Sequence, residues 1–266
     1  MMAVRFGDEL RLTRLASAQA CRFDIRFAED APLKQTIDWP VERDLAYRAL
    51  RLMEGRVQKA LSVNVRIVKR IPAGAGLGGG SSDAAGMLVG LNRLFDLGLD
   101  YNQLISLGRE LGSDVGFLVA AQYHHTSAVV SGVGEAIEPC AAPRWGSIFF
   151  VLIFPPVSCN TGEVYQAFDE IQPDAELDHD HVWASIEAPD LGSAGLFNDL
   201  LRAAFHVQPK LQSLHRKLVG LSGRPVHLSG SGSCLFVLAD NPSEAEHIRG
   251  LVTDSLKLPA VVTQSL

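Results

Sequence analysis

Five glycines, Gly74, Gly76, Gly78, Gly79 and Gly80, fall between Ala73 and Ser81, with a patterned segment on either side. Upstream, Val63, Val65 and Ile67 alternate with Asn64, Arg66 and Val68, the period of two that marks a half-buried strand. Downstream, after Pro72 and the glycines, Ser81, Ser82 and Asp83 offer N-cap chemistry to an Ala/Leu/Met-rich helix. The order is therefore strand, glycine loop, helix N-terminus. Each glycine costs about 0.5–1 kcal/mol of conformational entropy relative to alanine in a regular element. In return it tolerates positive φ and lets backbone N–H groups approach a ligand closely. A helix start adds roughly half a positive charge and several unpaired donors, so the ligand that suits this loop is an anion, in practice phosphate. A merely flexible linker does not usually sit between a patterned strand and a capped helix.

Three familiar phosphate binders do not fit. Gly74-x-Gly76-x-x-Gly79 satisfies the dinucleotide fingerprint formally. That fingerprint, however, follows a continuous apolar strand and needs an acidic residue at the end of the next one. Here the strand alternates, and the nearest candidate, Asp96, falls at the tail of the helix. A Gly-Lys-Ser/Thr phosphate loop is excluded because no lysine follows the last glycine. In a protein-kinase glycine loop, strand residues would follow, not a helix.

Pro72 to Ala85, Pro-Ala-Gly-Ala-Gly-Leu-Gly-Gly-Gly-Ser-Ser-Asp-Ala-Ala, resembles the ATP loop of the GHMP small-molecule kinases. Its triple-glycine form is similar to one branch, the 4-diphosphocytidyl-2-C-methyl-D-erythritol kinases, and a thinner similarity runs from Phe6 to the C-terminus. The resemblance implies an α+β, two-domain GHMP fold. A ribosomal S5-like N-terminal domain would occupy 1–143 and a ferredoxin-like C-terminal domain 144–266, with the family's first strands missing. It also implies ATP and Mg²⁺, and phosphorylation of the 2-hydroxyl of 4-diphosphocytidyl-2-C-methyl-D-erythritol. The alternatives are another GHMP kinase acting on a small alcohol, or a nucleotide-binding paralogue without activity. The departure from the family is at the start: a Pro-Ala-Lys-x-Asn strand and an Asp-Gly-Tyr-His segment have no counterpart here, and the family's adenine-side Asn is Asp44.

Composition narrows the partners. The 266 residues are 47% apolar and 20% charged, enough for one large domain or two modest ones. A net charge of −6 argues against nucleic acid or an anionic membrane, though not against ATP held by backbone amides. Cys21, Cys140, Cys159 and Cys234 have no paired or metal-like spacing, which suits a reducing cytoplasm. The N-terminus carries Arg5, Asp8 and Glu9 in place of a signal's apolar run. The partner expected is a small-molecule substrate, and a homodimer is left open.

Along the chain, strands are expected at Met1–Leu15 and Ala20–Phe27 and a helix from Trp39 to Gly55. After the central unit come a helix at Asp100–Leu111, a short apolar segment at Val115–Ala120, and a hairpin over Ser127–Glu138 turning at Gly132 and Gly134. A boundary is expected near Ala141–Ser147. Beyond it are a buried strand at Ile148–Phe154 and helices at Thr161–Glu170, Phe197–Phe205, Pro209–Gly220 and Ser243–Leu256. Strands are expected at Arg224–Leu228, Cys234–Ala239 and Ala260–Thr263. Gln172 to Pro189 reads as acidic, irregular and mobile. This mixed order suggests two α+β halves.

Phosphoryl transfer to an alcohol needs cradled phosphates, Mg²⁺, positive charge on the transferring group and a proton acceptor. From the residues alone Asp114 is equally a helix N-cap or a general base, buried beside Val115, Phe117 and Leu118 so that its pKa is raised. The resemblance of Leu-Gly-Ser-Asp-Val, 111–115, to a family motif favours the base. The loop residues expected to hold ATP are Pro72, Ala73, Gly74, Ala75, Gly76, Leu77, Gly78, Gly79, Gly80, Ser81 and Ser82. Lys69 or Arg70 would contact nucleotide or lie on a solvated strand face. Asp83 sits awkwardly beside phosphate unless a metal lies between or it turns away. Ser229 to Ser233 is a tight hairpin, or a small-residue wall for substrate or ATP phosphate; the resemblance favours the wall, with Gly230, Ser231 and Gly232 as substrate contacts, and implies the same role for Thr161 and for Tyr165, which is otherwise an ordinary helix aromatic. The Asp178-His179-Asp180-His181 cluster has metal-ligand residue types, but adjacent residues point apart.

Overall fold

The computed structural model describes residues 1–124, 127–140, 146–171, 179–187 and 195–266, with backbone alone at 124, 179–181 and 187. The chain forms two compact units, one of residues 1–73, 78–142 and 266, the other of 74–77 and 143–265. Helices and strands mix in both, the α+β class expected from the sequence. The sequence boundary near 141–147 took no account of Gly74–Leu77, which group with the second unit.

The first unit is built on β3 (Val63–Lys69), which lies between β1 (Glu9–Arg14), antiparallel to it, and β2 (Arg22–Phe27), parallel to it. The alternation has the effect the sequence demands: Val63, Val65 and Ile67 are wholly buried. They share a core with α1 (Leu45–Val57), α2 (Gly79–Leu94), α3 (Tyr101–Leu111) and α4 (Val115–His124). In α1, Ala46, Ala49, Leu50 and Met53 recur at helical spacing and are wholly buried, about 1.5–3 kcal/mol for each large side chain. Asp44 caps α1, accepting from Ala46 N–H at 2.9 Å and from Trp39 Nε1 at 3.0 Å. A hairpin of β4 (Ala128–Ser131) and β5 (Ala136–Pro139) completes the unit.

A capping box opens α3: Asp100 Oδ1 accepts from Gln103 N–H, and Gln103 Oε1 from Asp100 N–H, both at 2.9 Å. Replacing Asp100 by alanine frees one helix donor. We expect it to lower stability by about 1 kcal/mol, measured by urea unfolding; an unchanged midpoint would mean that water replaces the cap at no cost.

The second unit carries a four-stranded antiparallel sheet in the order β7-β8-β6-β9, from β6 (Phe149–Ile153), β7 (His227–Leu228), β8 (Leu235–Ala239) and β9 (Ala260–Gln264). Its helices are α5 (Thr161–Ile171), α6 (His179–Glu187), α7 (Leu200–Val207), α8 (Pro209–Ser222) and α9 (Pro242–Leu256). Val151, Ile153, Leu235 and Val237 pack with Val164, Leu211, Leu218, Ile248 and Val252. Proline opens α8 and α9, where its missing N–H costs no helix bond, and Gly223 closes α8 at φ +63°.

Four expectations need correction. The first strand is confined to Glu9–Arg14, because Asp8 turns its carboxylate onto the N–H groups of Arg70 and Ile71, so the ladder begins after it. The Trp39 helix begins only at Leu45, after a 3₁₀ turn at Val41–Arg43. The short apolar segment after Asp114 is a helix reaching His124. Part of the segment read as irregular, His179–Glu187, is helix α6; its flanks at 172–178 and 188–189 lie outside the described residues. Among the described residues, no helix is long and apolar enough to cross a membrane.

Candidate active site

Strand β3 continues its alternation to Lys69, on the same inward face as Val63, Val65 and Ile67. Lys69 is 4% exposed. Its Nζ lies 2.6 Å from Asp8 Oδ2 and 2.6 Å from Asp83 Oδ2, and all three side chains are buried. Asp8 also accepts from the N–H groups of Arg70 and Ile71 through Oδ1, at 2.5 and 2.8 Å. The triad thus ties the end of β3 to the first turns of α2, and so fixes both ends of the glycine loop. Burial works against the Lys69 charge, but Asp83 and Asp8 outweigh it and raise the pKa. Burial pushes the Asp83 carboxyl up to about 7, against the pull of Lys69 and with the help of Asp8. Lys69, expected to touch nucleotide, is engaged by two carboxylates, and Asp83 is turned away from solvent. Arg70 is half-exposed, 3.4 Å from Asp30.

The loop's main chain is used in an ordered way. Ala73 is held at both its N–H and its C=O by the Gln35 side-chain amide, at 2.8 and 3.3 Å. Helix α2 starts at Gly79, with Gly78 at φ +64° in the cap position and no side-chain cap. The N-cap expected from Ser81, Ser82 and Asp83 is therefore corrected: they lie inside the helix. Gly79 makes the early start possible, since a Cβ there would sit 2.8 Å from Ile71 Cγ2. Ser82 donates its hydroxyl to Gly79 O and its N–H to Gly78 O, both at 2.8 Å. In the first unit the N–H groups of Gly78, Gly79, Gly80 and Ser81 donate no hydrogen bond among the described residues.

In the second unit, Gly74–Leu77 lie against the turn between β7 and β8. Gly74 O accepts from Ser233 N–H at 3.3 Å, Ala75 O from Cys234 N–H at 3.0 Å, and Gly76 O from Ser229 Oγ at 2.9 Å. In a trans peptide the C=O of one residue and the N–H of the next point opposite ways. Tying three successive carbonyls to the turn therefore aims the N–H groups of Ala75, Gly76 and Leu77 away from it. Neither these nor Gly74 N–H donate a hydrogen bond among the described residues. Gly76 is required here: at φ +71°, its Cβ would land on the Ser229 carbonyl oxygen.

The Ser229–Ser233 segment is a tight turn, closed by Ser229 N–H to Cys234 O at 3.0 Å and Gly232 N–H to Ser229 O at 2.9 Å. Gly230 and Gly232 both have positive φ, and Gly232 lies beside the Cys159 sulfur. The Ser231 and Thr161 hydroxyls are 3.1 Å apart, and Tyr165, one turn further along α5, is 53% exposed. Four of the five expected substrate contacts thus gather around one hydroxyl pair, with Tyr165 next to them.

Asp114 immediately precedes α4 and is exposed, not buried as expected. Loss of water to the neighbouring chain still raises its pKa, and the Met1 ammonium partly offsets this. Its carboxylate makes no hydrogen bond among the described residues, so the side-chain cap is not made. Leu118, one turn on, lies 3.6 Å from where a Gly78 Cβ would be, which brings this end of α4 to the cap of α2. Among the described residues no three His, Cys, Asp or Glu side chains gather as a metal site. Asp178 and the side chains of His179–His181 lie outside the description.

Sequence reasoning missed three positions: Asp8, Gln35 and Asn198. Each acts on a partner more than 25 residues away, beyond any local pattern.

Comparison with known proteins places the chain in a family. Residues 44–125 match the GHMP kinases N terminal domain. The chain is 34% identical over 209 residues to a 4-diphosphocytidyl-2-C-methyl-D-erythritol kinase of Shouchella clausii, covering 78% of this chain and 68% of that one. To the enzyme of that name from Bacillus licheniformis it is 34% identical over 254 residues, covering 93% and 81%. A crystal structure of 4-(cytidine 5'-diphospho)-2C-methyl-D-erythritol kinase superposes with a TM-score of 0.70 at 29% identity, covering 97% of this chain and 85% of that one. The L. major mevalonate kinase superposes at 0.72 with 16% identity, covering 99% and 88%, a likeness of fold alone.

Proposed function

This chain belongs to the 4-diphosphocytidyl-2-C-methyl-D-erythritol kinase family of GHMP small-molecule kinases, and on that premise we propose that it transfers the γ-phosphoryl of ATP to the 2-hydroxyl of 4-diphosphocytidyl-2-C-methyl-D-erythritol. The observation that carries this reading is the run of eight successive main-chain N–H groups, Gly74 to Ser81, with no partner among the described residues. Unpaired amides on a glycine loop and at a helix start fit a polyphosphate by charge and by donor geometry.

Asp114 takes the proton from the attacking hydroxyl as the new O–P bond forms and ADP departs. The loop amides bind the β- and γ-phosphate oxygens and hold the γ-phosphorus in line with that hydroxyl. Thr161, Tyr165 and the Gly230–Gly232 turn orient the cytidyl substrate. Mg²⁺ held at the Ser81 hydroxyl would neutralise charge on the phosphate oxygens. Ser81 supplies the loop hydroxyl that makes no hydrogen bond among the described residues.

A coupled ADP-release assay tests the reading. ADP release that depends on the cytidyl substrate, and fails with other small alcohols, is the expected result. Saturable ATP uptake with no turnover would instead leave the non-catalytic paralogue standing.

A further inference from the structure

Asn198, just before α7 and outside the elements expected to carry the chemistry, holds the turn beneath the glycine loop from behind. Its Nδ2 donates to Leu228 O at 2.9 Å and to Gly230 O at 2.8 Å, the two carbonyls on either side of Ser229. Its Oδ1 accepts from Leu200 N–H at 3.0 Å, which fixes the orientation of the amide. Both Nδ2 hydrogens are thereby used, and the backbone around Ser229 is pinned from two sides. Ser229 in turn reaches Gly76 O with its hydroxyl at 2.9 Å.

We propose that Asn198 is a positioning residue for the nucleotide: by pinning Ser229 it fixes the Gly76–Leu77 peptide, and so aims the Leu77 N–H at the phosphates. This rests on the reading of the loop as the ATP site. The force passes through hydrogen bonds only, all within the second unit, from amide to carbonyls to hydroxyl to loop. Thr161 meets Ser231, on the far side of Gly230 from Ser229, and the turn's other two bonds to the loop, from Ser233 and Cys234, reach Gly74 O and Ala75 O, so Ser229 is the residue that links Asn198 to the Gly76 carbonyl by hydrogen bonds.

Asn198→Asp separates this role from a local one. Aspartate keeps the oxygen that serves Leu200 N–H, so the start of α7 is preserved, but it has no hydrogen to give Leu228 O or Gly230 O. ATP binding to the full chain is measured by calorimetry for the native protein, Asn198→Asp, Ser229→Ala and the double variant. The expected result is about a tenfold weaker Kd in each single variant, the effect of losing one well-placed hydrogen bond. The double variant is expected to be no weaker than the worse single, because the two residues act in series. The Leu77 amide resonance of the ligand-free protein should move in both single variants.

Asn198→Asp binding ATP within about twofold of the native protein overturns the proposal. So does full additivity in the double variant, or an unmoved Leu77 amide. A native chain that does not bind ATP at all removes the underlying reading and the proposal with it; a native chain that binds while the cycle is additive removes the proposal alone.

Discussion

Asp114→Asn is expected to lower kcat by about 10²–10⁴-fold, the contribution of a positioned general base, and to leave ATP affinity almost unchanged. Asparagine matches aspartate in size but cannot accept the hydroxyl proton. Because the Asp114 carboxylate makes no hydrogen bond among the described residues, the substitution should not cost the fold a cap. The pH profile gives a second check. Desolvation raises the Asp114 pKa, so its protonated, inactive form persists to higher pH than for an ordinary carboxylate near 4. Activity should therefore fall as pH drops through a value above that range, and the variant's residual rate should lack this limb. A variant within tenfold of the native kcat, or one with the limb intact, would assign the base elsewhere.

Lys69→Met should be the most destabilising single change near the loop. It removes the ammonium and leaves the Asp8 and Asp83 carboxylates buried together, a loss of about 3–5 kcal/mol for breaking a buried ion pair from one side. The sign of its pH dependence follows. Without Lys69 the factor that lowers the Asp83 pKa is gone, so the folded variant binds protons more tightly than the unfolded chain. Its stability should then fall as pH rises, and the gap from the native protein should be wider at pH 8 than at about pH 6. Urea unfolding at both pH values measures it. A gap that is small, or that narrows with rising pH, would show that the triad does not anchor the loop.

The fold was legible where one local period governs. The strand Val63–Lys69 follows from alternation, and the same alternation, carried two residues past Ile67, puts Lys69 on the buried face. Taking Lys69 as a nucleotide contact ignored that period. The start of α2 was misplaced because Ser81-Ser82-Asp83 has good cap chemistry, while the actual start depends on Gly79 lying against Ile71, a tertiary fact. That the loop suits an anion was legible, because glycine is costly without such a return. What aims its amides was not, since Asp8, Gln35, Asn198 and Ser229 reach it across 38 to 153 positions, or through one another. Asp114 was singled out by its resemblance to a family motif, but its exposure was not foreseen: apolar neighbours in sequence need not surround a side chain that precedes a helix.

The claim beneath all of this is that main-chain amides grip a triphosphate, and amide-resolved NMR during an ATP–Mg²⁺ titration tests it most directly. Saturable shifts concentrated on the amides of Gly74 to Ser81, with Ala73 and Ser82 much less affected because their N–H groups are already paired, are the predicted result. Saturation with those eight resonances unmoved, or no saturation at all, would contradict it.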